Sequence, residues 1–399
     1  MPKDDLNYKF TENGIVYDFY DVFVPAENFR QPALWVFGNP AAGALGTNDI
    51  TPDRYTPVTT FAGGTTWKQV SAGKRATLAI KTDGTLWGWG GNGTFEQRLG
   101  INFDAARSTP VTTFAGGNNW KQVSTSGKGR STGAIKTDGT LWTWGSNEGG
   151  ELGNNNGGGQ TPVTTFAGGT SWKQISVGGA DNSHMAAIKT DGSLWIWGTN
   201  DNAKLGINQG NVNRNTPVTT FIGGTDWKQV SCGEQHTAAI KTDGSLWTWG
   251  LGTSGQLGNF ANTTRSTPVT TFAGGNTWKS VSAGQNHTAA IKTDGSLWTW
   301  GSGSDGRLGT NGYGASSTPV TTFAGGTNWK QVSCGTQHTV AIKTDGTLWG
   351  WGRGANGQLG NDSSNNIQIP VTTFAGGNNW KQVTAGYLHT AAIKYQPDP

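Results

Sequence analysis

The stretch His287–Gly301, HTAAIKTDGSLWTWG, alternates apolar and polar positions on both sides of an Asp-Gly pair. Asp-Gly tolerates the positive φ angles of a tight hairpin turn, so the pattern predicts two adjacent antiparallel strands, His287–Lys292 and Ser296–Trp300. Residues i and i+2 of a strand share one face. We therefore interpret Trp298 and Trp300 as a packing surface against a neighbouring unit of the fold.

This hairpin belongs to a longer unit that recurs along the chain. Trp278–Ser282 predicts a strand before the hairpin and Val320–Phe323 a strand after it, and no stretch shows the apolar stripe of a helix. Successive copies are 51 to 55 residues apart, and such a period with several strands per unit is typical of propeller blades. The segment Pro-Val-Thr-Thr-Phe marks seven copies, which begin at Pro57, Pro110, Pro162, Pro217, Pro268, Pro319 and Pro370.

One copy of the hairpin is split between the two ends of the chain. His389–Lys394 repeats its front half, and Leu34–Gly38, LWVFG, supplies the back half. The split predicts a ring closed by pairing of strand 34–38 with strand 389–394. The predicted fold class is all-β, a seven-bladed β-propeller of four-stranded antiparallel blades. The propeller spans residues 34–394, between an N-terminal arm at 1–33 and a C-terminal tail at 395–399.

Composition excludes disorder and makes a nucleic-acid partner unexpected. Gly accounts for 64 of 399 residues, yet 20 Trp and 15 Phe recur at fixed positions, whereas disordered segments are poor in aromatic residues. The net charge of +4 is dispersed, and half of the basic residues stand at two repeated Lys positions that we interpret as solvating the strand faces. Because a nucleic-acid groove needs basic residues concentrated on one face, we expect no nucleic-acid partner.

The sequence also gives an expectation for location. The sequence contains no run of about 18 apolar residues, so we expect no insertion into a membrane. The first ten residues, Met1–Phe10, lack the apolar core of a secretory signal. A cytoplasmic location is therefore expected, unless the protein is part of a virion.

The candidate chemical groups follow the repeat. Ligands of one metal ion must lie within a few ångströms of one another, and symmetry-related positions stay apart unless they line the axis. We predict that each histidine bridges backbone groups within its own blade, with a pH-sensitive interface as the alternative. Cys232 and Cys334, at equal positions two repeats apart, are predicted to be small buried residues without a disulfide. The sequence predicts no catalytic residue, metal site or cofactor, and hence no enzyme. The histidines are His184, His236, His287, His338 and His389.

Differences between the repeats gather after each Trp-x-Trp-Gly element, in segments such as 91–108, 259–266 and 361–369. These segments leave the same place in every blade, so we expect them to crowd one face or rim of the disc. Loops on a rigid scaffold commonly carry recognition, and plain surface drift is the alternative. The candidate partner-binding residues are Phe95, Arg98, Phe103, Arg107, Arg214, Phe260, Arg265, Arg307, Tyr313, Arg353 and Ile367.

The residues before the repeats combine aromatic and acidic side chains. Two interpretations stay open: an arm that packs on its own propeller, and a docking arm that inserts into a partner. The candidate docking residues are Tyr17, Phe19, Tyr20, Phe23 and Phe29.

The order of motifs in Val332–Gly360 resembles the regulator-of-chromosome-condensation repeat. It reads Val-Ser-Cys-Gly-x-x-His-Thr, then Gly-x-Leu-Trp-x-Trp-Gly and Gly-Gln-Leu-Gly, and the match covers residues 34–394 in seven units. The family implies a seven-bladed propeller closed by strands from both ends. Some members are guanine-nucleotide exchange factors that bind chromatin. We do not carry those activities over, because the chain shows no wedge-like insertion and no basic tail.

A second resemblance concerns the leader. Tyr17–Pro25, YDFYDVFVP, looks like the leader of repeat proteins encoded by marine bacterial viruses. It implies a bacteriophage virion subunit, at the surface or tail, whose arm fixes the propeller to other virion proteins while the loops face a host glycan or receptor. The broader hypothesis is a non-enzymatic interaction or structural protein. The alternatives are a cellular regulator of a small GTPase, and an enzyme or a glycan-binding, lectin-like adhesin with its site at the loop-bearing face or the central channel.

Overall fold

The computed structural model describes residues 9–12, 15–18, 32–64, 66–93, 97–102, 104–157, 159–179 and 183–395. Within these ranges the chain forms seven four-stranded antiparallel sheets and one two-stranded hairpin. Residues from all seven larger sheets line one central channel. The prediction of an all-β propeller with seven four-stranded blades is confirmed. The part of the chain described here contains no helix long and apolar enough to cross a membrane.

Each blade runs from an innermost strand at the channel to an outermost strand at the rim. The blades are numbered 1 to 7, with β5–β8 as blade 1, four further strands for each blade up to β28, and β29, β30, β3 and β4 as blade 7. Short 3₁₀ turns follow three of the third strands, at Ala41–Gly43, Asp201–Ala203 and Ser304–Gly306. The strands are β1 (Lys9–Glu12), β2 (Ile15–Asp18), β3 (Pro32–Gly38), β4 (Arg54–Thr59), β5 (Trp67–Ala72), β6 (Ala76–Lys81), β7 (Leu86–Gly90), β8 (Arg107–Thr112), β9 (Trp120–Thr125), β10 (Ser131–Lys136), β11 (Leu141–Gly145), β12 (Gly159–Thr164), β13 (Trp172–Gly179), β14 (Ser183–Lys189), β15 (Leu194–Gly198), β16 (Arg214–Thr219), β17 (Trp227–Cys232), β18 (His236–Lys241), β19 (Leu246–Gly250), β20 (Arg265–Thr270), β21 (Trp278–Ala283), β22 (His287–Lys292), β23 (Leu297–Gly301), β24 (Ser316–Thr321), β25 (Trp329–Cys334), β26 (His338–Lys343), β27 (Leu348–Gly352), β28 (Ile367–Thr372), β29 (Trp380–Ala385) and β30 (His389–Tyr395).

Closure of the ring matches the prediction. In blade 7, β3 lies between β30 and β4, with Leu34 opposite Ile393 and Gly38 opposite His389. The pairing is longer than predicted and begins with Pro32 opposite Tyr395. The amino-terminal strand thus completes the blade that the carboxyl-terminal strands begin.

The outermost strand differs from its predicted bounds. We predicted Val320–Phe323, whereas β24 is Ser316–Thr321. The strand starts earlier because its first residue pairs with the third strand across a β-bulge. Pro319, which has no N–H to donate, is tolerated because this strand forms the edge of the sheet. Phe323 falls in the turn that follows.

Tryptophans form the contacts between blades. Trp300 of blade 5 is fully buried in a cluster with Ile240 of blade 4, which confirms the predicted packing face. Trp298 packs edge-on against Trp278 with ring centroids 6.3 Å apart. The Nζ atom of Lys292 lies 4.4 Å and 4.9 Å from these two ring centroids. The repeated lysines that we expected only to solvate the strands therefore also make cation–π contacts.

Two polar ladders join the innermost strands of neighbouring blades. Gln229 of blade 4 donates from Nε2 to the carbonyl of Val281 in blade 5 at 3.0 Å and accepts the Val281 N–H at 3.1 Å. Six of the seven interfaces have this double bond. In the second ladder, a hydroxyl of each blade accepts a backbone N–H of the next. These hydroxyls belong to Ser71, Ser124, Ser176, Ser231, Ser282, Ser333 and Thr384.

The histidines also join neighbouring blades, and our prediction of bridges within one blade is wrong. Nε2 of His236 lies 2.8 Å from Oγ1 of Thr288 in blade 5, and that hydroxyl donates to the Gln256 carbonyl at 2.8 Å. The imidazole is therefore the donor to threonine. A strand side chain projects from the face of its sheet, so the imidazole meets the next blade rather than the backbone of its own. Burial lowers the pKa of His236 and His338 to about 3.

Cys232 and Cys334 close the ends of two innermost strands, and both are buried and free. This confirms the prediction of small buried residues without a disulfide. Burial raises the pKa of each thiol to about 12. The thiols therefore stay protonated at neutral pH, which makes them poor nucleophiles.

Candidate functional site

The antiparallel order of each blade sends its connections alternately to two faces of the disc. One face carries two connections of each blade: the corner between the innermost and the second strand, and the long loop between the third and the outermost strand. The two connections touch, as where the Gly91 N–H donates to the Arg75 carbonyl at 2.7 Å. We call this the loop face. The other face carries the Asp-Gly hairpins and the turns that link one blade to the next. These also touch, as where the Trp278 N–H donates to the Gly244 carbonyl at 3.0 Å. We call this the hairpin face.

The hairpin face is nearly identical from blade to blade. A carboxylate oxygen of Asp243 accepts the Ser245 N–H at 2.8 Å and the Ser245 hydroxyl at 2.7 Å, and that hydroxyl accepts the Trp247 indole N–H at 3.0 Å. The backbone bond first, and then the hydroxyl bond, lower the pKa of Asp243. Six blades repeat this arrangement. A face so uniform gives a partner little to distinguish one blade from another.

An exposed phenylalanine follows each outermost strand. The exposed fraction of these side chains is between 60% and 67%. Apolar side chains that stand singly on a surface are common in proteins and need no partner to explain them. The sequence pattern predicts these residues at the ends of the strands, whereas they lie in the turns that follow. They are Phe61, Phe114, Phe166, Phe221, Phe272, Phe323 and Phe374.

On the loop face the corner residues differ, and a cluster of them lies at the mouth of the channel, where Glu234 and Thr336 line its wall. Nζ of Lys128 in blade 2 lies 3.4 Å from the Glu234 carboxylate in blade 4, and Thr336 of blade 6 donates to that carboxylate at 3.3 Å. The same ammonium lies 5.4 Å from the Tyr387 ring centroid in blade 7. Burial raises the pKa of Glu234, and the charge of Lys128 offsets part of this increase. Sequence analysis missed these corners, although their divergence within an otherwise constant frame was a signal.

Behind this cluster lies a channel cavity of about 160 Å³. Its walls are mainly the hydroxyls and glycine backbone of the innermost strands. Those hydroxyls are the acceptors of the second interblade ladder, so their structural role is to join blades. Within the described ranges, no three His, Cys, Asp or Glu side chains come together as a metal ion would require.

Two of the predicted partner-binding residues, Arg98 and Arg307, are buried and do not contribute an exposed surface. Each precedes a Leu-Gly pair, where its backbone carbonyl accepts the indole N–H of the next blade, from Trp144 at 2.8 Å and from Trp351 at 3.0 Å. The guanidinium of Arg307 also donates to the Thr336 carbonyl at 3.3 Å. A position that acts through its backbone tolerates different side chains, so variation there does not mark recognition.

Four more of the predicted residues are half-buried on the loop face. Arg107, Arg214 and Ile367 are the first residues of outermost strands. Ile367 packs against the tryptophan cluster between blades 5 and 6. Arg353 donates to a corner glutamine of its own blade at 2.6 Å. These residues support the loops and leave only part of their surface for a partner.

The remaining loop candidates are exposed or lie outside the described residues. Phe260 is 69% exposed and Tyr313 is 55% exposed, and Arg265 is exposed at the start of β20. Phe95 and Phe103 lie outside the described residues.

Of the candidate docking residues, only Tyr17 falls in the described part of the chain, in β2 opposite Phe10. The other four lie outside the described residues, so docking by the arm stays a prediction. They are Phe19, Tyr20, Phe23 and Phe29.

Comparison with known proteins places the chain in a family. The RCC1-like domain matches residues 160–397, and the regulator of chromosome condensation (RCC1) repeat matches residues 67–97. The chain belongs to the RCC1-like propeller family. Thus the resemblance of its repeats to regulator-of-chromosome-condensation repeats is confirmed.

Two relatives differ in the share of their own length that matches this chain. The ultraviolet-B receptor UVR8 of Arabidopsis thaliana is 32% identical over 84% of this chain and 76% of its own length. The E3 ubiquitin-protein ligase HERC2 of Homo sapiens is 27% identical over 83% of this chain but only 7% of its own length. In HERC2 the similar region is therefore a small part of a much larger protein.

Solved structures agree on the fold. Prp20p of Saccharomyces cerevisiae, described together with its binding to Gsp1p and histones, has a TM-score of 0.79 at 19% identity and covers 93% of both chains. Yeast RCC1 (Prp20) has also been solved bound to Kap60. Human WBSCR16 has a TM-score of 0.77 at 20% identity, over 92% of this chain and 99% of its own. At these identities the likeness shows the fold alone.

Proposed function

We propose that this protein is a non-enzymatic, protein-binding propeller that contacts its partner through the loop face. One observation carries the proposal: six of the seven blades share the same hairpin-face arrangement, and blade 7 has the ends of β3 and β30 in its place. The differences among the loops of all seven blades gather on the loop face. Loops on a rigid scaffold are where binding residues concentrate. At the centre of this face the half-buried side chains of Lys128 and Tyr387 are charged and aromatic, and they lie over the buried Glu234 and Thr336.

The comparisons support a protein as the class of partner. The yeast propeller of the same fold is described with Gsp1p, histones and Kap60. Those partners belong to that protein, and at 19% identity they do not name the partner of this one.

Cross-linking can test which face is used, because lysines stand on both faces. Lys74 and Lys128 lie at loop-face corners, and Lys68 and Lys279 are exposed at the start of innermost strands near the hairpin face. The full chain would be cross-linked in cells that express it, and the partner identified by mass spectrometry. We expect partner cross-links at Lys74 and Lys128. Cross-links confined to Lys68 and Lys279 would reject the loop face.

A matched pair of variants tests the corner itself. Lys128→Ser combined with Glu234→Gln removes both charges together, so no unpaired buried charge remains. Phe114→Ser combined with Phe323→Ser changes the hairpin-face rim instead. In pull-downs without a cross-linker, which do not depend on the reactivity of Lys128, we expect the first pair to lower recovery of the partner at least tenfold and the second to leave it unchanged.

A cellular regulator of a small GTPase is the second candidate, and it is supported by the fold shared with Prp20p. The test is release of a fluorescent guanine nucleotide from candidate small GTPases in the presence of the full chain. Faster release would favour exchange activity. If every GTPase releases its nucleotide at the intrinsic rate, exchange activity is rejected and the proposal of a protein-binding propeller stands alone.

The narrower hypothesis of a bacteriophage virion subunit rests on the leader resemblance alone. None of the relatives named above is a viral protein, so the proposal does not include a virion. Co-purification of the chain with virus particles would be the observation that restores it.

A further inference from the structure

One position in the long loops has the left-handed backbone conformation in all seven blades, with φ between 57° and 68°. The conformation serves the ring, because the N–H at this position donates to the outermost strand of the next blade, as Phe260 does to the Ser317 carbonyl at 3.0 Å. Asn and Asp enter this region readily, whereas bulky residues rarely do. Six blades follow that rule, and blade 4 has phenylalanine. The seven residues are Asn48, Asn102, Asn155, Asn208, Phe260, Asn311 and Asp362.

Phe260 gains no burial from this unfavourable position. Its side chain is 69% exposed, and it lies 5.5 Å from the ring centroid of Phe272, which is 65% exposed. The two rings are inclined by 32° and form a two-ring apolar platform at the rim of blade 4. Strained residues that the fold does not need are typical of binding sites. In the other blades, the equivalent of Phe272 has no second aromatic ring at this position beside it.

Blade 4 also has an arginine, Arg265, at the start of its outermost strand. In blades 7 and 3 the first arginine of the outermost strand contacts the residue just after the left-handed position, Arg54 with Asp49 and Arg214 with Gln209. The corresponding residue of blade 4 is Ala261, which has no acceptor in its side chain. Arg265 is exposed, and among the described residues no hydrogen bond or ion pair engages its guanidinium.

We propose that Phe260, Phe272 and Arg265 form a rim site for a partner protein segment that places an apolar side chain beside a carboxylate. The two rings receive the apolar side chain, and the guanidinium, which no acidic group neutralises, pairs with the carboxylate. A neutral glycan would use the rings but leave the arginine without a counter-charge, and a second copy would bring two arginines together. The inference adds a site at the rim, where the loop residue Phe260 meets Phe272 at the hairpin-face end of the outermost strand, to the contact on the loop face. It rests on the proposed function in one respect, that the partner is a protein.

The test begins with a random-peptide display library, selected on the full chain and counter-selected on Phe260→Asn. Asn is the residue of five other blades, so this variant should fold with a melting temperature no lower than that of the original chain. We expect enriched peptides that place Phe, Tyr, Trp or Leu next to Asp or Glu. Enrichment without this pattern, or equal enrichment on the variant, would overturn the proposal.

A labelled peptide of the enriched sequence then measures each residue by fluorescence polarisation. Phe260→Asn should raise the Kd at least tenfold. Arg265→Ser, which copies Ser316 of the next blade, should raise it severalfold and weaken its dependence on salt. Phe323→Ala, at a phenylalanine without a second ring beside it, should leave the Kd unchanged. A Kd that responds equally to all three variants would contradict a site at blade 4.

Two further measurements separate other occupants. Binding of neutral glycans on an array that disappears in Phe260→Asn, or a dimer in sedimentation that the same variant dissociates, would replace the peptide and overturn the proposal. Failure here also differs from failure of the proposed function. If Lys128 and Glu234 variants lose the partner while Phe260→Asn keeps it, the loop face stands and the rim site falls.

Discussion

Two neighbouring interfaces of the propeller differ at one position of the polar ladder. Between blades 4 and 5, the Gln229 amide makes two hydrogen bonds to the backbone of Val281. Between blades 5 and 6, the same position is Ser280, whose hydroxyl oxygen is buried without a partner in the described part of the chain. Val332, the equivalent of Val281, is 9% exposed and Val281 is 4% exposed.

Two other contacts recur at both interfaces. Trp300 and Trp351 are fully buried and donate to carbonyls of the preceding blade at 2.9 Å and 3.0 Å. Ser231 and Ser282 accept backbone N–H groups of the following blade, each at 2.9 Å. Blades 5 and 6 pack together although they lack the amide. We therefore infer that the buried tryptophan contributes most of the stability of each interface and that the amide contributes less. The predictions below test this ranking.

Removing the buried tryptophan should cause the largest loss of stability, and the loss should be similar at the two interfaces. Trp300→Ala and Trp351→Ala each open a cavity in a fully buried cluster and leave a carbonyl without its indole donor. We expect each variant to lower the free energy of unfolding by about 3–5 kcal/mol, measured by denaturant unfolding. A loss at Trp351 more than twice that at Trp300 would mean that the two pockets are not equivalent.

Acid should weaken the interfaces through their histidines. Burial lowers the pKa of His236 to about 3, from 6.5 for an unperturbed imidazole. Below pH 6.5 the unfolded chain therefore binds a proton that the folded chain does not, so stability falls as the pH falls from about 6.5 towards 3. At pH 5 the loss is about 2 kcal/mol for one such histidine.

The measurement compares the free energy of unfolding of the original chain with that of His236→Ala at two pH values. The stability gap between the original chain and His236→Ala should shrink by about 2 kcal/mol between pH 7 and pH 5. Carboxylates elsewhere cancel in this comparison. His287→Ala, at the interface with serine, should behave in the same way because burial also lowers the pKa of His287 well below its usual value. A gap independent of pH would show that the histidine is accessible to protons in the folded chain.

Much of this architecture followed from sequence, and the parts that did not share a physical reason. The split repeat located the pairing of Leu34 with Ile393, because register and periodicity are local properties of a strand. The partner of His236 and the burial of Arg307 depend on the next blade, which a repeat pattern does not display. Phe260 was singled out as an apolar loop residue, but its left-handed backbone needed coordinates.

Deleting the amide should convert the first interface into the second. Gln229→Ser removes two hydrogen bonds to Val281 and should lower the free energy of unfolding by about 1–2 kcal/mol. Gln331→Ser tests the same change between blades 6 and 7, where the amide also makes both bonds. A loss near zero in both variants would show that water in the channel replaces the amide at no cost.

The reverse change should have the smallest effect and the opposite sign. Ser280→Gln supplies the missing amide to the Val332 backbone, and we expect a gain of about 0.5–1 kcal/mol, because two hydrogen bonds are partly offset by the rotamer entropy of the longer side chain. Ser280→Met is the control, since it has similar length but cannot bridge an N–H and a carbonyl. If both variants gain equally, filling space rather than the amide explains the difference between the interfaces. If Ser280→Gln lowers the stability, the space between blades 5 and 6 fits a serine and not a glutamine. The distance between two blades would then determine which side chain fits the ladder, and the side chain would not determine the distance.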